Sequence, residues 1–234
     1  MKTIGIIGGM SYESTLHYYE RINNQVNKLA GDLNCAELII YNVNFQNIRK
    51  LMLEEQWDKI SEEISRIAKV LENAGADYIA IATNTVHKIA DYVQNQINVP
   101  LIHIADAVAE KCKESQVLNV GLLGTKYTMA EDFLKDRLKQ NGLQVFVPSD
   151  EKQIDEINRI IFEELCKGEI KKESKQYFVD TINDMIEKDN ISGVILGCTE
   201  IEMLVKQEDL TIPMFDTTQA HIDSIVNYSL EKTK

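Results

Sequence analysis

Residues 77–89, DYIAIATNTVHKI, and residues 192–204, SGVILGCTEIEML, carry one pattern twice. Each begins with a short apolar run, passes through small polar residues, and continues with helical spacing. That is the sequence form of a buried strand turning into a helix. Aligned on each other, Thr83 falls on Cys198, 115 positions apart. Two further pairs follow the same spacing. TIGIIGGMSYE from Thr3 matches NVGLLGTKYTM from Asn119, and VPLIHIADA from Val99 matches IPMFDTTQA from Ile212, at offsets of 116 and 113. Three matches in one order at nearly one offset indicate a duplicated architecture.

Working outward, short apolar runs at 3–7, 38–43, 78–82, 101–104, 120–123, 145–147 and 194–196 read as strands. Longer stretches with helical periodicity, such as 57–74 and 152–166, lie between them. Such alternation gives βαβ units and parallel sheet covered by helices. The expected fold is α/β, with two pseudo-symmetric lobes that each hold a parallel sheet flanked by helices. The segments at Pro100 and Pro213 read as crossovers, which assigns 1–100 plus 213–234 to the first lobe and 101–212 to the second.

Composition narrows the function. The 234 residues are 44% hydrophobic, enough for a sizeable core, and the net charge of −12 argues against a broad basic face for nucleic acid. No apolar run reaches the roughly 18–20 residues that span a bilayer. The N-terminal run ending at Gly8-Gly9 is too short for a signal peptide, so the expected location is cytoplasmic. The four cysteines form no CxxC pair and the four histidines are scattered, so no metal site is expected. By default each cysteine is a small buried hydrophobe.

Chemistry belongs at the C-terminal ends of the strands, where parallel sheets bind ligands. Gly8-Gly9-Met10-Ser11 and Thr83-Asn84-Thr85 stand there in the first lobe, Gly124-Thr125 and Cys198-Thr199-Glu200 in the second. Turns of this kind present backbone N–H groups to a carboxylate or phosphate. GGMS is neither a dinucleotide fingerprint nor a phosphate-binding P-loop. Cys198 ends an apolar run after Gly197. Reading it at a helix N-terminus predicts a thiol pKa lowered from about 8.5 towards a usable thiolate. Cys35, Cys112 and Cys166 have no such setting and read as structural.

GGMSYEST, ATNTVHK, LGTKYTM, FEELCKG and GCTEIEML, in this order, resemble the aspartate/glutamate racemase family over essentially the whole chain. The similarity is to its branch of broad-specificity or aspartate/glutamate-specific amino-acid racemases. The resemblance implies a cofactor-independent racemase, a homodimer, and an active site in the cleft between lobes. It implies that Thr83 and Cys198 flank the substrate α-carbon as acid/base residues. Two such groups on opposite faces are what proton removal and return require.

By the same resemblance Asn84, Thr85 and Thr199 hold the substrate carboxylate or amino group, with Glu200 near the latter. Met10 lines the pocket through the first loop, and Thr125 is added from the equivalent loop of the second lobe. Two departures stand out. Thr83 occupies a position where many relatives have cysteine, which predicts unequal forward and reverse rates. Met52 stands where related racemases have glutamine, and Cys166 where many have lysine, which leaves the side-chain carboxylate of a substrate to another group such as Arg49. Two other readings stay open: a single-cysteine decarboxylase or isomerase of the same superfamily, and a non-catalytic amino-acid-binding protein.

Overall fold

The computed structural model describes residues 1–231. The chain divides into two units, one formed by Met1–His103 with the chain from His221 onward, the other by Ile104–Ala220. Each is built around a four-stranded parallel sheet.

In the first unit the strands are β1 (Ile4–Gly8), β2 (Leu38–Asn42), β3 (Tyr78–Ile81) and β4 (Leu101–Ile102). Around them lie α1 (Tyr12–Ala30), α2 (Phe45–Leu53), α3 (Trp57–Asn73) and α4 (Ala90–Gln94), with a 3-10 turn over Thr85–Ile89. The strand order is β2-β1-β3-β4. Every residue of β1 and β3 is buried, as expected of central strands covered on both faces. One face packs Ile7, Ile79 and Ile81 against Ile64 and Ile67 of α3. The other packs Ile4, Ile6 and Tyr78 against Tyr18 and Ile22 of α1 and against Ile222 and Ile225.

The second unit repeats this plan. It contains α5 (Ile104–Glu114), β5 (Asn119–Leu123), α6 (Lys126–Ala130), α7 (Asp132–Gln140), β6 (Gln144–Phe146), α8 (Glu151–Glu163), α9 (Lys172–Asp189), β7 (Gly193–Leu196), α10 (Ile201–Leu204) and β8 (Met214–Asp216). The last helix, α11 (Thr217–Leu230), contains the division at Ala220/His221. The strand order β6-β5-β7-β8 matches the first sheet position for position. So does the register: Ile79 N–H donates to the Pro100 carbonyl and Val194 N–H to the Pro213 carbonyl, both at 2.9 Å.

Three expectations change at this level. β4 pairs with β3, and β8 with β7, so residues 101–103 belong to the first unit and 213–220 to the second, against the 100/101 and 212/213 boundaries expected. Each sheet completes its fourth strand before the chain crosses over. The helix expected to 166 stops at Glu163, because the Glu164 side chain is buried against Ser174 and Arg159. The chain then makes a 3-10 turn that ends at Gly168 with φ +74°. Finally, Cys35 and Cys166 are exposed, and of the three cysteines read as structural only Cys112 is a buried hydrophobe.

In both sheets the chain leaves a central strand to one side and returns on the other. This makes β1/β3 and β5/β7 the switch points, where the ends of adjacent strands diverge and leave a crevice.

Candidate active site

Eight of the nine residues singled out from the sequence fall into two groups, one at each switch point. In the first unit, Thr83, Asn84 and Thr85 follow β3, and Met10 follows the adjacent β1. In the second, Cys198, Thr199 and Glu200 follow β7, and Thr125 follows the adjacent β5. Met52 sits on α2.

The strand ends are set by the same ladder bond in both units. Ala82 N–H donates to the Ile7 carbonyl at 2.9 Å, and Gly197 N–H to the Leu123 carbonyl at 2.6 Å. The first loop after β1 is pinned tightly. Gly9 has φ +89°, and a Cβ there would collide with the Val43 backbone, so no other residue fits. Its N–H donates to Thr15 Oγ1 at 2.7 Å, and that hydroxyl donates to the Ser11 carbonyl at 3.0 Å. Ser11 caps α1 by accepting from Ser14 N–H. In the second unit Thr125 caps α6, accepting from Thr128 N–H at 3.3 Å.

Cys198 is half-buried, and its Sγ lies 2.9 Å from Glu200 Oε2. Thr199 Oγ1 donates to the same oxygen at 2.6 Å. The lowered thiol pKa expected at this position is overturned. Burial pushes the Cys198 thiol well above its ordinary value, and the Glu200 charge adds to the rise. The following helix, Ile201–Leu204, is four residues long and has Glu200 at its N-cap, so a carboxylate faces the sulfur in place of a cationic partner. The arrangement is that of a thiol with a proton acceptor already in contact.

On the first unit's side Thr83 and Thr85 are half-buried and Asn84 is buried. Thr83 is held through its backbone: its carbonyl accepts from His87 Nδ1 at 2.7 Å. The preceding carbonyl, of Ala82, accepts from Ser14 Oγ at 3.1 Å. Met10 and Met52 are 5% and 8% exposed and share one apolar cluster with Ile7, Val43 and Ile48. They therefore form a packed floor beside β1 and leave little surface to touch a ligand. Arg49 is exposed on α2.

Several residues at these strand ends were not picked out from sequence. Ser14, Thr15, Thr128 and Thr217 brace the loops, the last by donating to the Leu196 carbonyl at 3.0 Å. For Ser14, Thr15 and Thr128, a serine or threonine soon after a glycine turn was the available signal. His87, His103 and His221, scattered in sequence, meet in the first unit. Nothing local in the chain announces this. Among the described residues no group of three or more His, Cys, Asp or Glu is arranged to hold a metal, and no helix is long and apolar enough to cross a membrane.

Two α/β units, each with a four-stranded parallel sheet flanked by helices, make the fold of the two-domain Asp/Glu racemases. The chain belongs to the Asp/Glu/hydantoin racemase family, whose pattern matches residues 7–225. An aspartate racemase homologue from Pyrococcus horikoshii OT3 is 41% identical, with a TM-score of 0.87 over 99% of this chain and 100% of that one. The broad-specificity amino-acid racemase of Bacillus subtilis is 24% identical over 227 residues, 96% of each chain. An arylmalonate decarboxylase variant shares the fold with a TM-score of 0.53 at 13% identity, covering 100% of this chain and 95% of that one.

Proposed function

We propose that the chain is a cofactor-independent amino-acid racemase that interconverts L- and D-enantiomers of aspartate, glutamate or a broader set. The Sγ–Glu200 contact carries this reading, because it sets a carboxylate able to accept a proton 2.9 Å from the cysteine that follows β7. The polar loops supply donors for the substrate.

Glu200 takes the Cys198 thiol proton as substrate docks. The thiolate removes the α-hydrogen from one face, and the carbanion is stabilised as an enediolate by donors at its carboxylate, for which Asn84, Thr85 and Thr199 are the assigned residues. The Thr83 hydroxyl gives its proton to the other face. Thr83 then regains a proton from water, and Glu200 releases to water the one it took. In reverse, Thr83 must act as the base. A hydroxyl is a weaker base than a thiolate at neutral pH, so that direction is slower. Thr125 lines the second unit's loop, and Glu200 also faces the substrate amino group. Met10 and Met52 shape the floor. The same reading takes the chain as a cytoplasmic homodimer, which sedimentation checks at twice the mass of one chain.

Incubation with L-aspartate, L-glutamate and neutral amino acids, followed by chiral chromatography, is expected to yield the opposite enantiomer of at least one. Thr83 in place of a second cysteine favours one alternative, the decarboxylation of substituted malonates. Carbon dioxide release from such a malonate, with no enantiomer formed from any amino acid, would replace the racemase reading with that one.

A further inference from the structure

Three buried histidines meet in the first unit, and the steps above use none of them. His87 is 3% exposed, His103 9% and His221 0%. The His87 ring centroid lies 4.7 Å from that of His103 and 5.7 Å from that of His221, both edge to face.

The bonding fixes what two of them do. His87 Nδ1 lies 2.7 Å from the Thr83 carbonyl oxygen. A carbonyl only accepts, so Nδ1 carries the hydrogen. His221 Nε2 lies 2.8 Å from the Ile102 carbonyl, so Nε2 carries its hydrogen. His221 Nδ1 is then left to accept from Tyr18 Oη at 2.8 Å. Burial and the neighbouring His87 bring the His221 pKa down to about 3, so this ring stays neutral and keeps the same tautomer through the physiological range. It is a fixed prop, tied to α1 through Tyr18 and to β4 through Ile102. His87 packs edge to face against it.

The second unit lacks this device. There the Cys198 carbonyl accepts from Ile201 backbone N–H at 3.2 Å, and the position 115 residues after His87 is Glu202. The repeat offers Thr83 no side-chain partner like Glu200. It offers a ring that locks the peptide from which the Thr83 side chain springs.

We propose that His87 is a positioning residue for Thr83, its Nδ1–H fixing the Thr83 carbonyl and thereby aiming the Thr83 hydroxyl at the reacting carbon. This rests on the reading of Thr83 as an acid/base group. A misplacement of about 1 Å costs on the order of 100-fold in rate.

The test is deuterium wash-in at the α-carbon, measured separately for each starting enantiomer in heavy water. Wash-in to the enantiomer whose hydrogen faces Cys198 needs only Cys198, whereas the other needs Thr83. The Asn amide N–H overlays the Nδ1 position and the Gln amide does not. His87→Asn is expected to stay within threefold of the parent for both enantiomers. His87→Gln is expected to lose at least tenfold in kcat on the Thr83 side, with KM within twofold and the Cys198 side unchanged. Equal behaviour of the two variants, whether both retained or both lost, overturns the proposal. So does an equal loss on both sides with His87→Gln. Thr83→Ala separates this from the underlying reading: if it leaves both wash-in rates intact, the acid/base role of Thr83 is wrong, and the positioning role falls with it. If it abolishes one rate while His87→Gln leaves that rate intact, only the positioning role is wrong.

Discussion

The ends of β3 and β7 are the same place in two copies of one sheet, and they solve different problems. Strand order, register and the ladder bond that closes each strand are shared. At β7 the Cys198 side chain itself is engaged, by a carboxylate 2.9 Å from sulfur. At β3 the backbone behind the side chain is engaged, by Ser14 on the Ala82 carbonyl and His87 on the Thr83 carbonyl. On the proposed reading, one end adjusts the chemistry of a group and the other its direction. Duplication preserves geometry because the ladder and packing demand it. It leaves the loop residues to diverge, since each loop needs only to satisfy its own polar groups.

The contrast is broken most severely by removing the stronger group. Cys198→Ala is expected to lower wash-in to the enantiomer it faces by about 1,000-fold, within the range for loss of a positioned acid/base. Thr83→Ala should strike only the other enantiomer. Equal losses on both sides for both variants would mean that the units do not divide the work.

Acid should separate the units next. All four histidines fall in the first unit, and His221 is buried and neutral there. A folded pKa of about 3 against 6.5 when unfolded means the unfolded chain binds the extra proton. Its stabilisation is therefore complete above pH 6.5 and is lost as the pH falls towards 3, about 5 kcal/mol in full. In the second unit, Glu164 is held below its ordinary 4.5, first by the Ser174 hydrogen bond, so its contribution is lost only below pH 4.5. Amide hydrogen exchange at pH 5 is expected to show the first unit opening sooner, and the reverse order would contradict the buried-neutral histidine.

A smaller effect comes from Gly197→Ala. Its Cβ would meet Thr128 Cγ2 at 2.8 Å and the Leu123 carbonyl at 3.1 Å, costing about 2 kcal/mol of stability in a urea melt. The smallest concerns the thiol alone. Glu200→Gln removes one of the charges that raise the Cys198 pKa, so the midpoint for alkylation by iodoacetamide moves to lower pH. An unmoved midpoint would show that the carboxylate does not act on the sulfur.

Much of this was legible in the chain. The paired segments at 77–89 and 192–204 disclose the duplication because strand-to-turn geometry restricts which residues follow an apolar run. The crossovers were read too early: the run after Pro100 was legible as a strand but not its pairing with β3, and the short strand after Pro213 was not legible at all. Loop positions of the site residues followed from the same pattern. Their electrostatics did not: Glu200 stands two residues from Cys198 in either reading, and only the turn decides that it folds back onto the sulfur. Met10 and Met52 were legible as neighbours of the loops but not as partners in one cluster, because their contact joins distant segments. The histidine group was invisible for the same reason.

Thr128 has a consequence of another kind. Its side chain is fully buried and stands 3.0 Å from where a Cβ at Gly124 would lie and 2.8 Å from one at Gly197. Two loops from different strands thus share one obstacle. Bulk at either glycine is resisted while threonine stays between them, with the Gly197 and Leu123 carbonyls adding 3.2 and 3.1 Å contacts, so the easier order of change shrinks residue 128 first. The two loops thereby share part of one mutational history, since a gain of bulk at either is eased by a change at a residue in neither.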